Sequence, residues 1–228
     1  MKNNTGKKGS KKGGQKKQRK RFRELLLRNT RLDDYDDIAR LMDRIYPEWE
    51  GAWTREQFES QIRRFPEGQI CIEDNGAVVA ASNALIVNME RFGDRHTCEE
   101  ITGNGYFNTH DPNGDTLYGA DIFVNPDYRD LRLGRRLYDA RKTLCENLNL
   151  RRIVAGGRIP GYSKHAAKMS AREYIELVKR KELRDPVLSF QLSNDFHVLK
   201  LIPHYESMDS ESQTYATLIE WINIHYQE

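Results

Sequence analysis

The apolar positions of this chain fall into two rhythms. Some runs are short and continuous or alternate with polar residues, as in strands. Others recur every three or four residues, as in helices. Glu24 to Asn29 predicts a strand. The acidic stretch Thr30 to Asp37 leads into a helix reaching about Tyr46, with Asp34 or Asp36 as its cap and Ile38, Leu41, Met42 and Ile45 as its apolar stripe. Pro47 ends it. Thr54 opens a second helix to about Phe65, with Gln57 placed for a capping box. Gln69 to Glu73, Asn75-Gly76 and Ala77 to Val87 predict a hairpin, because Asn-Gly suits the left-handed backbone of a tight turn. Residues 88–116 are polar and irregular. Leu117 to Val124 is a strand, and a helix striped by Leu133, Leu137, Leu144 and Leu148 runs on to about Asn149. Arg152 to Ala155 is the next strand, ending at Gly156-Gly157-Arg158. Ser170-Ala171-Arg172-Glu173 opens a helix to about Leu183, with Tyr174, Ile175 and Val178 on its apolar face. After Pro186 comes a short apolar segment, Val187 to Leu192, and Asp195 to Ile202 and Tyr215 to Trp221 close the chain as strands. The order is β, α, α, β, β, β, α, β, α, α, β, β, a mixed α/β pattern.

The corner after Val124 carries the charge that stands out. Arg129, Arg132, Arg135 and Arg136 crowd the start of a helix. Cations there oppose the helix dipole by roughly 0.3–1 kcal/mol each. The free N–H groups of a helix start already form an anion site. A phosphate or pyrophosphate seat accounts for the cluster. The competing reading is an ordinary strand-to-helix corner with a solvated basic face.

The run Val124-Asn125-Pro126-Asp127-Tyr128-Arg129-Asp130-Leu131-Arg132-Leu133-Gly134-Arg135-Arg136-Leu137 resembles the acetyl-CoA loop of the GNAT-type N-acyltransferases, V-x-P-x-x-R/Q-x-x-G-x-G/A-x-x-L. Val124, Pro126, Arg129, Gly134 and Leu137 fall in register, and Arg132 replaces the first loop glycine. The predicted element order matches that family's layout along residues 24–221. The resemblance implies a mixed central sheet of about seven strands flanked by helices, with two parallel central strands that splay apart. It places the splay between Asp121–Val124 and Ile153–Gly156. Acetyl-CoA would enter there as co-substrate, its pantetheine facing the backbone of Phe123 and Val124. Its pyrophosphate would lie on the loop holding Arg129 and Asp130 and on the N–H groups of Leu131, Arg132, Leu133, Gly134 and Arg135. Arg151 to Tyr162 and Asp185 to Phe196 are similar to a subgroup often found N-terminal to a carbon–nitrogen hydrolase (nitrilase-type) domain, so such a domain or partner is an implied associate.

Acyl transfer from a thioester to an amine requires a base for the amine and polarisation of the carbonyl, and an acid can assist the leaving thiolate. Many GNAT members supply that acid as a Tyr in a pattern like Y-x-x-x-G-F. Here Gln191 falls at the Tyr position and Asp195 at the Gly. Tyr162, just after the second parallel strand, is either a replacement acid or a half-buried structural tyrosine. Asp121, on the strand leading to the loop, is either the base or a strand-face residue bonding a neighbouring turn. Glu99 and Glu100 could meet an acceptor amine or simply be solvated.

Composition narrows the rest. Residues 1–23 hold 11 of the 37 Lys and Arg and no acid, leaving 26 bases against 34 acids in the body, a net of −8. We expect a disordered basic tail over 1–23, able to make weak polyanion contacts, and one domain over 24–228 whose acidity suits an amine acceptor. Cys71, Cys98 and Cys145 are widely spaced, which suggests a reduced, cytoplasmic setting and no zinc site. Asp111-Pro112-Asn113-Gly114-Asp115 starts like a calcium loop, but Thr116 and Ile122 occupy the glycine and bidentate-Glu positions, so a turn is expected and no metal. No apolar stretch approaches the roughly 18 residues of a membrane span. Beside acyl transfer stand two alternatives: a non-catalytic CoA-binding or regulatory domain serving a carbon–nitrogen hydrolase, and a nucleic-acid-associated protein using its tail.

Overall fold

The short strand β1 (Leu25–Asn29) ends where Asp34 is drawn into an ion pair with Arg28 at 2.7 Å. Asp34 was an expected side-chain cap of the first helix. It is the N-cap residue of α1 (Tyr35–Ile45), but its carboxylate is spent on Arg28 and on the Arg31 N–H instead. Helix α2 (Arg55–Arg64) starts with the reciprocal Thr54–Gln57 capping box. Asn75 and Gly76, with φ of 51° and 88°, reverse the chain between β2 (Ile70–Asp74) and β3 (Ala77–Val87). The polar stretch after β3 contains a short helix that periodicity missed, α3 (Cys98–Thr102). Glu100 is its capping-box partner for Thr97, which a five-residue helix needs more than an apolar stripe. Then follow β4 (Thr116–Val124), α4 (Leu133–Asn147), β5 (Arg152–Arg158), α5 (Ala171–Lys179), α6 (Leu188–Leu192), β6 (His197–Ile202) and β7 (Ala216–Ile222).

The computed structural model describes residues 24–47 and 53–228, and the basic stretch 1–23 lies outside the described residues. The seven strands form one mixed sheet in the order β1-β2-β3-β4-β5-β7-β6, with β4 and β5 the parallel neighbours. Helices cover both faces. On one, α1 and α2 bury Ile38, Leu41, Met42 and Phe58 against Cys71, Val78, Ala81 and Phe123, and α3 packs Ile101 near Tyr118 and Val154. On the other, α4 lays Leu133 and Leu137 on Ile70, Ile72, Val79 and Ala80, while α5 and α6 bury Tyr174, Ile175, Val178 and Leu188 near Leu117 and Ile153. A fully buried Leu or Ile contributes roughly 1.5–3 kcal/mol. The centre of the sheet is therefore rigid, and the opening described next is built into it.

Candidate active site

Strands β4 and β5 pair only from Thr116↔Arg152 to Tyr118↔Val154. Beyond that step β4 continues against β3 and β5 against β7, so the two diverge. The opening starts at Gly119 on β4 and Ala155 on β5. This is earlier on β4 than the family resemblance implied, and Ile153 and Val154 lie in the paired part. Three glycines admit side chains at the fork. A Cβ at Gly119 would overlap the Arg141 guanidinium, one at Gly157 the Gln191 amide, and one at Gly156 the Tyr205 ring. On the α1–α3 face the Tyr118 hydroxyl meets Tyr205 at 2.8 Å and His96 at 3.0 Å, and it also takes up the Gly156 N–H.

The arginine-rich corner is open to solvent. Pro126–Leu131 forms a 3₁₀ turn whose first N–H groups are met by Asn125, and Asp127 pairs with Arg44. Arg129, Asp130, Leu131, Arg132 and Arg135 are exposed. Arg132 has φ 55° and ψ 31°, the left-handed conformation that the missing glycine would take without strain, and it is the N-cap of α4. Its side chain caps nothing. The N–H groups of Leu133, Gly134 and Arg135 belong to the first turn, where the helix offers no acceptor. The Leu133 side chain is buried, so only its backbone is left to meet anything at the corner. Phe123 is buried and Val124 half-buried. Phe190 of α6 lies against Gly134, beside Val124, at the mouth of the opening.

Asp121 lies on the other face. Ala120 is an extra residue in β4: Asn83 pairs with Asp121 and Ala84 with Gly119. Strict alternation would put Gly119 and Asp121 on one face. The bulge breaks it. Gly119 meets α4, whereas Asp121 accepts a hydrogen bond at 3.3 Å from the Tyr46 hydroxyl at the end of α1. Burial pushes the Asp121 carboxyl up to about 6, against the opposing pull of Tyr46, the Ile122 N–H, Arg158 and Arg141. Burial also holds the Tyr46 phenol protonated. Above them is a cavity of about 240 Å³ lined by Arg44, Tyr46, Arg158, Ser210 and Glu211. Arg158 grips Asp209 bidentately at 2.7 and 2.6 Å and reaches Glu211 at 3.0 Å. Burial works to raise the Asp209 carboxyl, but Arg158 and Ser212 hold it below the usual range.

Tyr162 is buried, and its hydroxyl donates to the Met169 carbonyl at 3.2 Å, within a ring cluster with Tyr174 and Tyr215. The structure therefore brings Asp121 and the corner residues to one opening and sets Tyr162 among the packing of α5. Gln191 does reach the fork. It is buried beside Gly157, and its Oε1 has no hydrogen-bond partner among the described residues. Sequence reasoning missed Tyr46, Arg141, Arg158 and Asp209. Only Arg158 carried a signal, its place directly after the glycine pair. Among the described residues no His, Cys, Asp and Glu group is arranged to hold a metal, and no helix is long and apolar enough to cross a membrane.

The model of the acetyltransferase (GNAT) family matches residues 35–168. Over 204 residues the chain is 44% identical to a Bacillus subtilis (strain 168) protein described as probable hydrolase YhcX, covering 90% of this chain and 40% of that protein. Over 212 residues it is 36% identical to uncharacterized N-acetyltransferase YkwB of the same strain, covering 92% of this chain and 93% of YkwB. The loading GNATL domain of CurA from Lyngbya majuscula has a TM-score of 0.77 at 23% identity, over 87% of this chain and 98% of that one. The GphF GNAT-like decarboxylase in complex with isobutyryl-CoA gives 0.72 at 23% identity, over 86% and 98%. These two likenesses carry the fold alone. The family match spans more than half of the chain, and YkwB aligns nearly end to end: the chain belongs to the GNAT acetyltransferase family.

Proposed function

We propose that the chain is an acyl-CoA-dependent N-acyltransferase that moves an acetyl group from acetyl-CoA to a primary amine. One observation carries the reading. The open, arginine-rich start of α4 and the half-buried Asp121 lie on opposite faces of the fork between β4 and β5. A donor laid along the first can present its thioester through the fork to an amine beside the second. The pyrophosphate accepts from the first-turn N–H groups of α4, with Arg129 and Arg135 beside it. The pantetheine runs past Val124 and Phe190. Asp121, with a pKa near 6, takes the proton from the ammonium, so that the free amine attacks the thioester carbon. The adduct's nitrogen gives up its second proton to water, the C–S bond breaks, and the CoA thiolate is protonated by that hydronium, because the Gln191 amide is too weak an acid to do it. The Asp121–Tyr46 geometry favours this over a non-catalytic CoA-binding domain.

The match to a probable hydrolase supports an association with a carbon–nitrogen hydrolase domain or partner, and the three unpaired thiols support a reducing, cytoplasmic setting. The test is thiol release from acetyl-CoA across a panel of polyamines, amino acids, peptides and aminoglycosides. At least one amine should raise release above hydrolysis in proportion to enzyme. Release that no amine stimulates would contradict the reading.

A further inference from the structure

The bulge in β4 turns Asp121 from the α4 face to the acceptor face, so whatever holds the bulge sets the aim of the base. A bulge strips carbonyl groups of their ladder partners, and buried carbonyls left unpaired are costly. Here the Ala84 carbonyl accepts from Gln69 Nε2 at 2.9 Å. The Asn83 and Asp121 carbonyls, a facing pair at the bulge, both accept from a single nitrogen of Arg141, at 2.9 and 2.6 Å. The same nitrogen reaches Ser82 Oγ at 2.8 Å. Arg141 is 2% exposed, and among the described residues no carboxylate is within ion-pair distance of it. A buried guanidinium with no carboxylate in ion-pair contact is an expensive way to satisfy two carbonyls, and a neutral amide would do it at lower cost. What an amide lacks is the positive charge beside Asp121, which favours the ionised carboxylate.

We infer that Arg141 is a positioning residue for the acyl-transfer site: it locks the β4 bulge so that the Asp121 carboxyl points across the fork to the acceptor cavity. The inference rests on the reading of Asp121 as the base. Gly119 is part of the device, because only its missing side chain leaves room for the guanidinium. The polar or charged groups affecting Asp121 come from every element around it: Tyr46 at the end of α1, Arg158 on β5, Arg141 on α4 and Cys98 at the start of α3.

Three variants of the full chain test the lock: Arg141→Gln, Arg141→Lys and Gly119→Ala. The first readout is amide hydrogen exchange at Ala120, Asp121 and Ile122, which needs no substrate. Exchange there should quicken by about tenfold or more in Arg141→Gln and Gly119→Ala, while the β1–β2 amides keep their wild-type rates. The second is the pH profile of kcat/KM with acetyl-CoA. Arg141→Gln should lose activity and move the acid limb upward, because the carboxylate loses a neighbouring cation; Arg141→Lys keeps the charge and should leave the limb in place at a lower plateau. Acetyl-CoA affinity should change less than about twofold in the two Arg141 variants, since neither touches the corner. Folded Arg141→Gln with wild-type exchange at the bulge and an unmoved limb would overturn the inference. Should Arg141→Gln not fold, Gly119→Ala decides by the same exchange measurement. A wild-type chain that binds acetyl-CoA but acylates no amine would overturn the proposed activity, and the exchange result would still decide whether Arg141 holds the bulge.

Discussion

The Tyr46 hydroxyl, at the end of α1, donates to Asp121 Oδ1 on β4 at 3.3 Å, across 75 residues of sequence. The bond ties the cavity lined by Arg44, Tyr46, Arg158 and Glu211 to the strand that borders the fork. Tyr46 lines that cavity, and its hydrogen bond favours the ionised form of Asp121. Replacing Tyr46 with Phe should raise the Asp121 pKa and shift the acid limb of kcat/KM upward by up to about one pH unit, the scale of one lost hydrogen bond. Rates measured from pH 5 to 8 check this.

Asp121 itself separates activity from stability. Burial raises its folded pKa to about 6, above its ordinary value of 3.8. The folded state therefore binds more protons than the unfolded state between these values. This group's contribution to stability is present at low pH and is lost as pH rises through about 6. Asp121→Asn should abolish the acid limb and lower kcat by roughly 10²–10⁴-fold, the usual range for a lost general base. At pH 8 the same variant should be more stable than wild type by on the order of 1 kcal/mol, since Asp121 is half-buried and partly screened. Urea denaturation at pH 4.5 and 8 measures the difference.

Arg158 and Asp209 reverse that sign. Asp209 is almost wholly buried and its folded pKa is depressed, so its contribution is present above the ordinary carboxylate range and lost as pH falls through the folded value. Arg158→Met leaves that carboxylate without its fork and should cost about 3–5 kcal/mol. A drop in thermal midpoint that is larger at pH 7 than at pH 3 checks it.

For Tyr162 we propose a packing role, since its hydroxyl is committed to Met169. Tyr162→Phe should leave thiol release at the wild-type rate and cost about 1 kcal/mol of stability. A release rate lowered tenfold at unchanged stability would instead make Tyr162 the acid.

Much of the sheet was legible because each strand carries a local signal. The Asn75-Gly76 turn, the Thr54–Gln57 box and the leucine stripe of α4 are short-range patterns; the structure shows the first two and, of the stripe, Leu133, Leu137 and Leu144, while Leu148 follows the helix and is exposed. The arginine corner was legible for the same reason: Arg129, Arg132, Arg135 and Arg136 lie close together in the sequence. Helix α3 was not, because five residues cannot show a helical stripe. The capping role of Asp34 was misread because its competitor, Arg28, sits on a different element. The acceptor side was the least legible. Tyr46, Asp121 and Arg158 come from three elements and meet only after a one-residue bulge reverses the alternation of β4. No window of sequence contains that fact. Arg141 reads in the sequence as one more basic residue on a helix with several.

The central claim is that a CoA pyrophosphate docks where the arginine-rich turn meets α4. Calorimetric titration of acetyl-CoA into the wild-type chain and into the Arg129→Glu, Arg135→Glu double variant tests it most directly. Both arginines are exposed, so the variant should stay folded, and affinity should fall at least roughly tenfold, or about 1.4 kcal/mol. Equal affinities for the two proteins, or a wild-type chain that takes up no acetyl-CoA, would contradict it.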